Sequence, residues 1–312
     1  MKLQLVLLGV LAAAAPAGAK GLTVDDMLAM RRISDPAVSP DGKQVAFAVR
    51  DTDVDANRGR LDIWLAAIDG SAVRQITTHP DNDQDPQWSA DGAWLYFASS
   101  RSGSAQVWRI RPGGGEAEQV TRLPTDINGF KLFPDGKRLV LAIDVWPDAR
   151  SIGDSLKRDE ERAKSKVKAK VYDQLMFRHW DHWEDGKYSH LFVWTSPEAG
   201  GKADEARDLT PGQATDTPTS PSGGMEEVSI SPDGKQVAFV ARTAGRENAW
   251  RTSTDIFLVA ADGQSRPVDV TVENKAYDFS PSFSPDGRSL GFTMMKRAGF
   301  EADRLRVAVL DV

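Results

Sequence analysis

The sequence predicts an all-β fold, a β-propeller of four-stranded antiparallel blades, on three observations. Asp-Gly recurs in one local context at a near-constant spacing. Each copy is followed by strictly alternating apolar residues, the signature of a half-buried strand. Two further short strand patterns then follow in the same order, giving a unit of blade size.

The copies are "VSPDGKQVAF" at Asp41, "WSADGAWLYF" at Asp91, "LFPDGKRLVL" at Asp135, "ISPDGKQVAF" at Asp233 and "FSPDGRSLGF" at Asp286, with a weaker one, "HWEDGKYSHLF", at Asp185. Successive spacings are 50, 44, 50, 48 and 53 residues. Asp-Gly suits a type I′ hairpin turn, in which both central residues take positive φ. After the first copy, Val45, Phe47 and Val49 fall on one face of a strand and Ala46 and Ala48 on the other. Third-strand patterns are expected at 61–70, 105–114, 189–196, 254–263 and 305–312. Short closing strands are expected at 74–77, 118–121, 207–210 and 266–271. About six blades are therefore expected, the last incomplete after its third strand. Ser39–Arg50 and Ser231–Arg242, nearly identical, are read as one hairpin in blades one and five.

Two segments break the period. Residues 20–35 read as a short helix with Thr23 as N-cap and Asp25 and Asp26 in its first turn. Blade three lacks a recognisable third strand; residues 151–176 stand in its place as a helical insertion.

Composition narrows the function classes. With 39 basic against 45 acidic residues and a net charge of −6, the chain has no basic surplus for a nucleic-acid partner. The absence of cysteine removes disulfides, thiolate metal sites and cysteine nucleophiles. Lys2, a short apolar run and Ala17-Gly18-Ala19 read as a secretory signal peptide over 1–19, so residues 20–312 are expected to be an exported propeller, periplasmic or secreted. The apolar run is shorter than the ~20 residues of a spanning helix. No membrane span is expected after cleavage.

Several clusters have both a chemical and a structural reading. "RHWDHW" (Arg178–Trp183) with His190 brings three histidines together, and Asp181 would supply a fourth metal ligand. The structural reading is an inner strand of blade four whose polar side chains line the channel, with His179 aligned to Asp35 and Asp85; it is preferred, and no metal or other cofactor is expected. Lys157–Lys170, with seven basic and three acidic residues, reads as a solvated helix rather than a docking arm. Ser165–Lys168 matches S-x-x-K without a companion K-T-G, so it is read as chance. Trp64, Trp88, Trp108 and Trp194 fall at equivalent strand positions and are read as packing between blades. Glu226-Glu227 precedes an inner strand, with Glu227 aligned to Asp35, Asp85 and His179; the pair suits a cationic group, or is a solvated loop pair.

The "SPDGK-x-h-A-F" hairpin followed by "D-I-W/F-L" and "Q-h-T" resembles the TolB-like propeller repeat. The entry "LTVDDMLAMRRISDPAVSPDGK" and the run "YDQLMFRHWDHWEDGKYSHLFVW" (172–194) are similar to the N-terminal propeller of exported bacterial dipeptidyl-peptidases and acylaminoacyl-peptidases of the prolyl oligopeptidase family. The resemblance covers 20–312. It implies a serine exopeptidase of short peptides, whose C-terminal α/β-hydrolase domain carries a Ser-Asp-His triad and partners the propeller. No G-x-S-x-G occurs in the chain, the nearest string being "GQSRP" at Gly263–Pro267. No catalytic residue is assigned, the hydrolase domain is read as absent, and this chain alone is expected to be inactive. The expected role is substrate gating, with Glu226, Glu227, Arg178 and His179 as candidate substrate-binding residues. The alternative is a stand-alone six-bladed periplasmic propeller binding another protein.

Overall fold

A computed structural model describes residues 21–312 except 168, 173–176, 180–181 and 243–244. The expected signal peptide, Asp181 and Lys168 lie outside the described residues. Helix α1 (Val24–Ala29) opens the described chain, capped by Thr23 and Asp26 in a reciprocal capping box.

Blade one is β1 (Arg32–Val38), β2 (Gln44–Asp53), β3 (Arg58–Ala67) and β4 (Arg74–Gln75), hydrogen-bonded in that order. Blade two repeats it with β5 (Asp83–Trp88), β6 (Leu95–Ser99), β7 (Gln106–Ile110) and β8 (Glu118–Gln119). Blade three starts with β9 (Gly129–Leu132) and β10 (Arg138–Val145), and the chain then leaves the sheet. The excursion carries α2 (Ile152–Lys164) and a two-stranded hairpin, β11 (Arg178–His179) with β12 (His182–Trp183). It returns as β13 (Tyr188–Thr195), which pairs with β10 from Arg138↔Thr195 to Val145↔Tyr188, and β14 (Ala206–Asp208) closes the sheet. Blade four is β15 (Val228–Ile230), β16 (Gln236–Ala241), β17 (Asp255–Ala260) and β18 (Val268–Asp269). The last sheet has three strands, β19 (Asp278–Phe283), β20 (Ser289–Met294) and β21 (Arg306–Asp311).

The described blades thus number five rather than six. Asp185-Gly186 does form a turn, but it ends the excursion and leads into the third strand of blade three. Because the excursion nearly equals one blade in length, it preserved the repeat spacing and concealed the true partner of β10. The two near-identical hairpins belong to blades one and four.

The turn chemistry also differs from expectation. Gly42, Gly92, Gly136, Gly234 and Gly287 take φ between 65° and 71°, while the preceding aspartates keep negative φ. Gly42 N donates to Ser39 O at 2.8 Å, so the hairpin is a type I turn followed by a left-handed glycine. Ser39 Oγ donates to Asp41 Oδ1 at 2.6 Å and accepts from Gln44 N at 2.9 Å. The Ser-x-Asp-Gly spelling is therefore a side-chain brace for the turn. The recurring Thr of the closing strands has an equally local task. Thr77, Thr121, Thr210 and Thr271 each present Oγ1 to a third-strand N–H (Ile63, Val107, Leu191 and Ile256), extending a two- or three-residue strand by one more bond.

Alternation sends the two faces of each strand to opposite neighbours. Phe97 packs with Ala46, Ala48, Ile63 and Leu65 of blade one, whereas Tyr96 and Ala98 join Phe130, Leu139 and Leu141 of blade three. Val140 and Ala142 meet Val237 and Phe239 of blade four, and Ala238 and Val240 meet Leu290 of the last sheet. Burial at roughly 25 cal/mol per Å² on every such face makes these inter-blade seams the main apolar core. Trp64 and Trp108 are equivalent third-strand residues, but Trp88 lies on a first strand and Trp194 two positions out of register. Trp88 Nε1 donates across a seam to Ala37 O at 3.0 Å. Helix α2 is not wholly solvated: Ile152 and Ser155 are buried, Ser155 Oγ accepts from Trp146 N, and Asp159 accepts from the Trp146 indole at 2.8 Å.

Candidate functional site

The first strands of blades one to three are in contact, and their Asp35, Asp85 and Lys131 come within electrostatic reach of Glu226, just before the first strand of blade four. Asp35 and Asp85 take left-handed backbone (φ 53° and 55°), each before a proline and at a register shift in the ladder. A bulge of this kind re-aims a side chain, and a residue before proline adopts it only under constraint. Burial, reinforced by the Asp35 charge, pushes the Asp85 carboxyl up to about 6. Its Oδ2 accepts from Gln87 Nε2, which also donates to Phe130 O of blade three at 2.8 Å. Lys131 on β9 bonds Val228 O of blade four, and its ammonium is held down by burial against the pull of Asp85 and Glu226.

The glutamate pair directly precedes an inner strand, β15, as the sequence suggests. Residues 225–227 form a single 3-10 turn, whereas Asp35 and Asp85 lie on first strands, so the repeat alignment does not carry Glu227 onto the channel. Glu227 is 4% exposed, accepting from Thr219 N at 2.7 Å and Thr219 Oγ1 at 2.8 Å. Glu226 is the exposed member, and its charge acts on Asp85 and Lys131.

His179 and Arg178 are not on an inner strand either. Both lie on the excursion hairpin, where Arg178 pairs with Trp183 and sits 5.5 Å from its ring. Tyr172, Phe177 and Trp183 form a stacked aromatic group at the base of that hairpin. Burial and the Arg242 charge hold His179 below the usual imidazole range. His190 is separated from the other histidines: it is buried on β13, with Nδ1 2.8 Å from Asp208 and Nε2 2.8 Å from Gln213 O. Among the described residues no group of three acidic or histidine side chains is arranged to hold a metal. None of the described helices is long and apolar enough to cross a membrane.

Beneath the hairpin, Asp144 of β10, Glu184 and Asp216 line a polar cavity of about 390 Å³. Sequence reasoning missed this group, since 144, 184 and 216 belong to no motif and meet only because the excursion folds back over blade three. Burial raises all three carboxyls, Asp216 to about 7. Asp216 Oδ1 accepts from Ser189 N at 2.8 Å, a bond an asparagine carbonyl would keep.

The raised Asp216 value has a pH consequence. Its unfolded value is 3.8, so between pH 4 and 7 the native state binds more protons and stability falls as pH rises. Asp216→Asn removes that cost. After allowance for solvent screening, it is expected to stabilise the chain by about 1–2 kcal/mol at pH 8, and far less at pH 5. Thermal melts at both pH values read this directly, at roughly 2–4 °C per kcal/mol. An equal shift at both would show that Asp216 ionises normally.

Comparison with known proteins agrees with this architecture. A TolB beta propeller domain model matches residues 29–162. Dipeptidyl-peptidase 5 of Porphyromonas gingivalis is 30% identical over 292 residues, covering 93% of this chain and 41% of that protein. Dipeptidyl-peptidase 5 of Aspergillus fumigatus is 25% identical, covering 94% and 43%. An acylaminoacyl peptidase structure from Pyrococcus horikoshii superposes with a TM-score of 0.58 at 15% identity, over 90% of this chain and 38% of its own. An oligogalacturonate lyase reaches 0.53 at 14% identity, covering 88% and 61%. Structures so distant establish the fold and leave the chemistry open. The chain has a β-propeller fold whose residues 29–162 match the TolB beta propeller domain, and it is similar over 93% of its length to dipeptidyl-peptidase 5, spanning about two fifths of that protein.

Proposed function

We propose that this chain is the substrate-admitting propeller of an exported serine exopeptidase that cleaves short peptides, partnered by an α/β-hydrolase domain that supplies the nucleophile. The observation that carries the reading is the homology to dipeptidyl-peptidases 5 across 93% of the chain. The charge distribution is consistent with it. Asp35, Asp85 and Glu226 gather around the ammonium of Lys131, and partly enclosed carboxylates favour a cationic ligand such as a peptide amine. In this reading Glu226 holds the amine. Glu227, tied to Thr219, fixes the turn that presents Glu226. Arg178 and His179, on the hairpin, cover the bound segment.

The test is kinetic, in the full-length peptidase. Glu226→Gln is expected to lower kcat/KM for a free-amine peptide by roughly ten- to a hundredfold, the worth of one charge-assisted hydrogen bond. The N-acetylated twin of the same peptide should be turned over unchanged or faster. Equal losses on both substrates would leave Glu226 as an ordinary loop carboxylate.

A further inference from the structure

Arg242 follows β16 and lines two cavities, both of which it shares with His179 of the excursion hairpin. A third cavity adjoins them. One of about 100 Å³ shares Glu184, Asp216 and Ser220 with the acidic cavity described above. The same one shares His179, Arg242 and Asn248 with the other cavity at Arg242, of about 500 Å³. The small cavity joins the other two, with Glu184 and Asp216 on one side and Arg242 on the other; the cavity of about 500 Å³ carries Glu301 beyond Arg242.

The Arg242 guanidinium is half-buried, and its hydrogen bond to a described residue is a long one, 3.4 Å to Ser222 Oγ. Its charge acts on Glu184, Asp216 and Tyr277. It forms no ion pair with any of them among the described residues. Asn248 Oδ1, in the same wall, is buried with no hydrogen-bond partner among the described residues.

This pattern selects a ligand by charge. A simple anion at Arg242 would be repelled by Glu184 and Asp216. A simple cation at the carboxylates would be repelled by Arg242. A molecule carrying both charges, a short distance apart, meets both ends with the favourable sign. Its intervening amide N–H can supply the donor that Asn248 Oδ1 lacks.

We propose that the joined cavities bind a free dipeptide by both ends, the α-carboxylate on Arg242 and the α-amine among Glu184, Asp216 and Asp144. The site is distinct from the amine site assigned to Glu226. A bidentate guanidinium–carboxylate pair in a partly desolvated cleft has the geometry and strength to require a carboxylate rather than an amide.

The test is isothermal titration of the 312-residue chain with L-Ala-L-Ala, its N-acetyl derivative and its C-terminal amide. The free dipeptide is expected to bind, and blocking either end to weaken binding at least tenfold. Arg242→Gln should weaken the free dipeptide to the level of the amide, and Arg242→Lys should recover part of the loss. In the Glu226→Gln variant the preference for the free dipeptide over its amide should persist, because both ligands keep the amine that Glu226 would hold; this separates the Arg242 site from the amine site assigned above. An amide that binds as tightly as the free dipeptide, or no binding of the dipeptide at all, would overturn the proposal whatever the fate of the Glu226 reading. The amide comparison needs no variant, so misfolding of an Arg242 substitution cannot obscure it.

Discussion

Phe97→Ala is expected to destabilise the chain by about 3–5 kcal/mol, the usual cost of deleting a fully buried aromatic side chain. Phe97 is 0% exposed and lies at the centre of the seam between blades one and two. Its neighbours Ala46 and Ala48 are small residues on a paired strand, and they cannot move inward to fill the void. The cavity term therefore adds to the lost transfer energy. Against a total stability of roughly 5–15 kcal/mol, the loss is large enough to leave a visible unfolded population at modest temperature. Urea denaturation measures it. A loss below about 1 kcal/mol would mean that blades one and two do not share the core described above.

Arg101→Met should cost about as much, for an electrostatic reason. Arg101 Nη2 pairs with Asp83 Oδ2 at 2.5 Å; Asp83 is fully buried and Arg101 nearly so. The other oxygen of Asp83 has no hydrogen-bond partner among the described residues, so the guanidinium is its principal compensation. Removing one member of a buried pair leaves an unpaired charge, at about 3–5 kcal/mol. The guanidinium also lies 5.2 Å from the Phe97 ring and 5.1 Å from that of Trp108. Residues in contact do not lose stability independently. The double variant is therefore expected to lose less than the two single losses combined, and strict additivity would show that the Arg101–Phe97 contact carries no energy. Asp83→Asn in the Arg101→Met background separates charge from packing: it should restore part of the stability, because the orphaned charge is gone.

Blade architecture was legible in the sequence because each blade is built from neighbouring segments. The Ser-x-Asp-Gly turn, the alternating second strand and the terminal Thr are all local devices, each with its own residue signature. The glycine-only positive φ at Gly42 was less legible, since Asp-Gly is compatible with more than one hairpin turn. What failed was counting across the excursion, where a regular spacing outweighed strand pairing. The same error displaced His179 from the hairpin to an inner strand. Glu226 and Glu227 were found as a pair, but alignment to Asp35 and Asp85 misplaced Glu227, because the pair lies on a helical turn before the strand rather than on it. The Asp144–Glu184–Asp216 group and its junction with Arg242 left no linear trace. Its members are 40, 32 and 26 residues apart and converge only through tertiary folding.

The excursion in blade three also bears on the order in which the chain is expected to assemble. In blade one, four residues (54–57) connect the second and third strands; in blade three the same connection takes 42 (146–187). Closing a loop about ten times longer costs roughly 2 kcal/mol more in chain entropy. Hairpins in blades one and two therefore nucleate from contiguous sequence, while β10 must wait for a distant partner. Blade three is the central member of the five, with blades one and two on one side and blade four and the last sheet on the other. Its later zippering is expected to let the two halves of the domain order first and join along the β10–β13 ladder, so that β13 amides gain protection after those of β3 in pulsed hydrogen exchange during refolding.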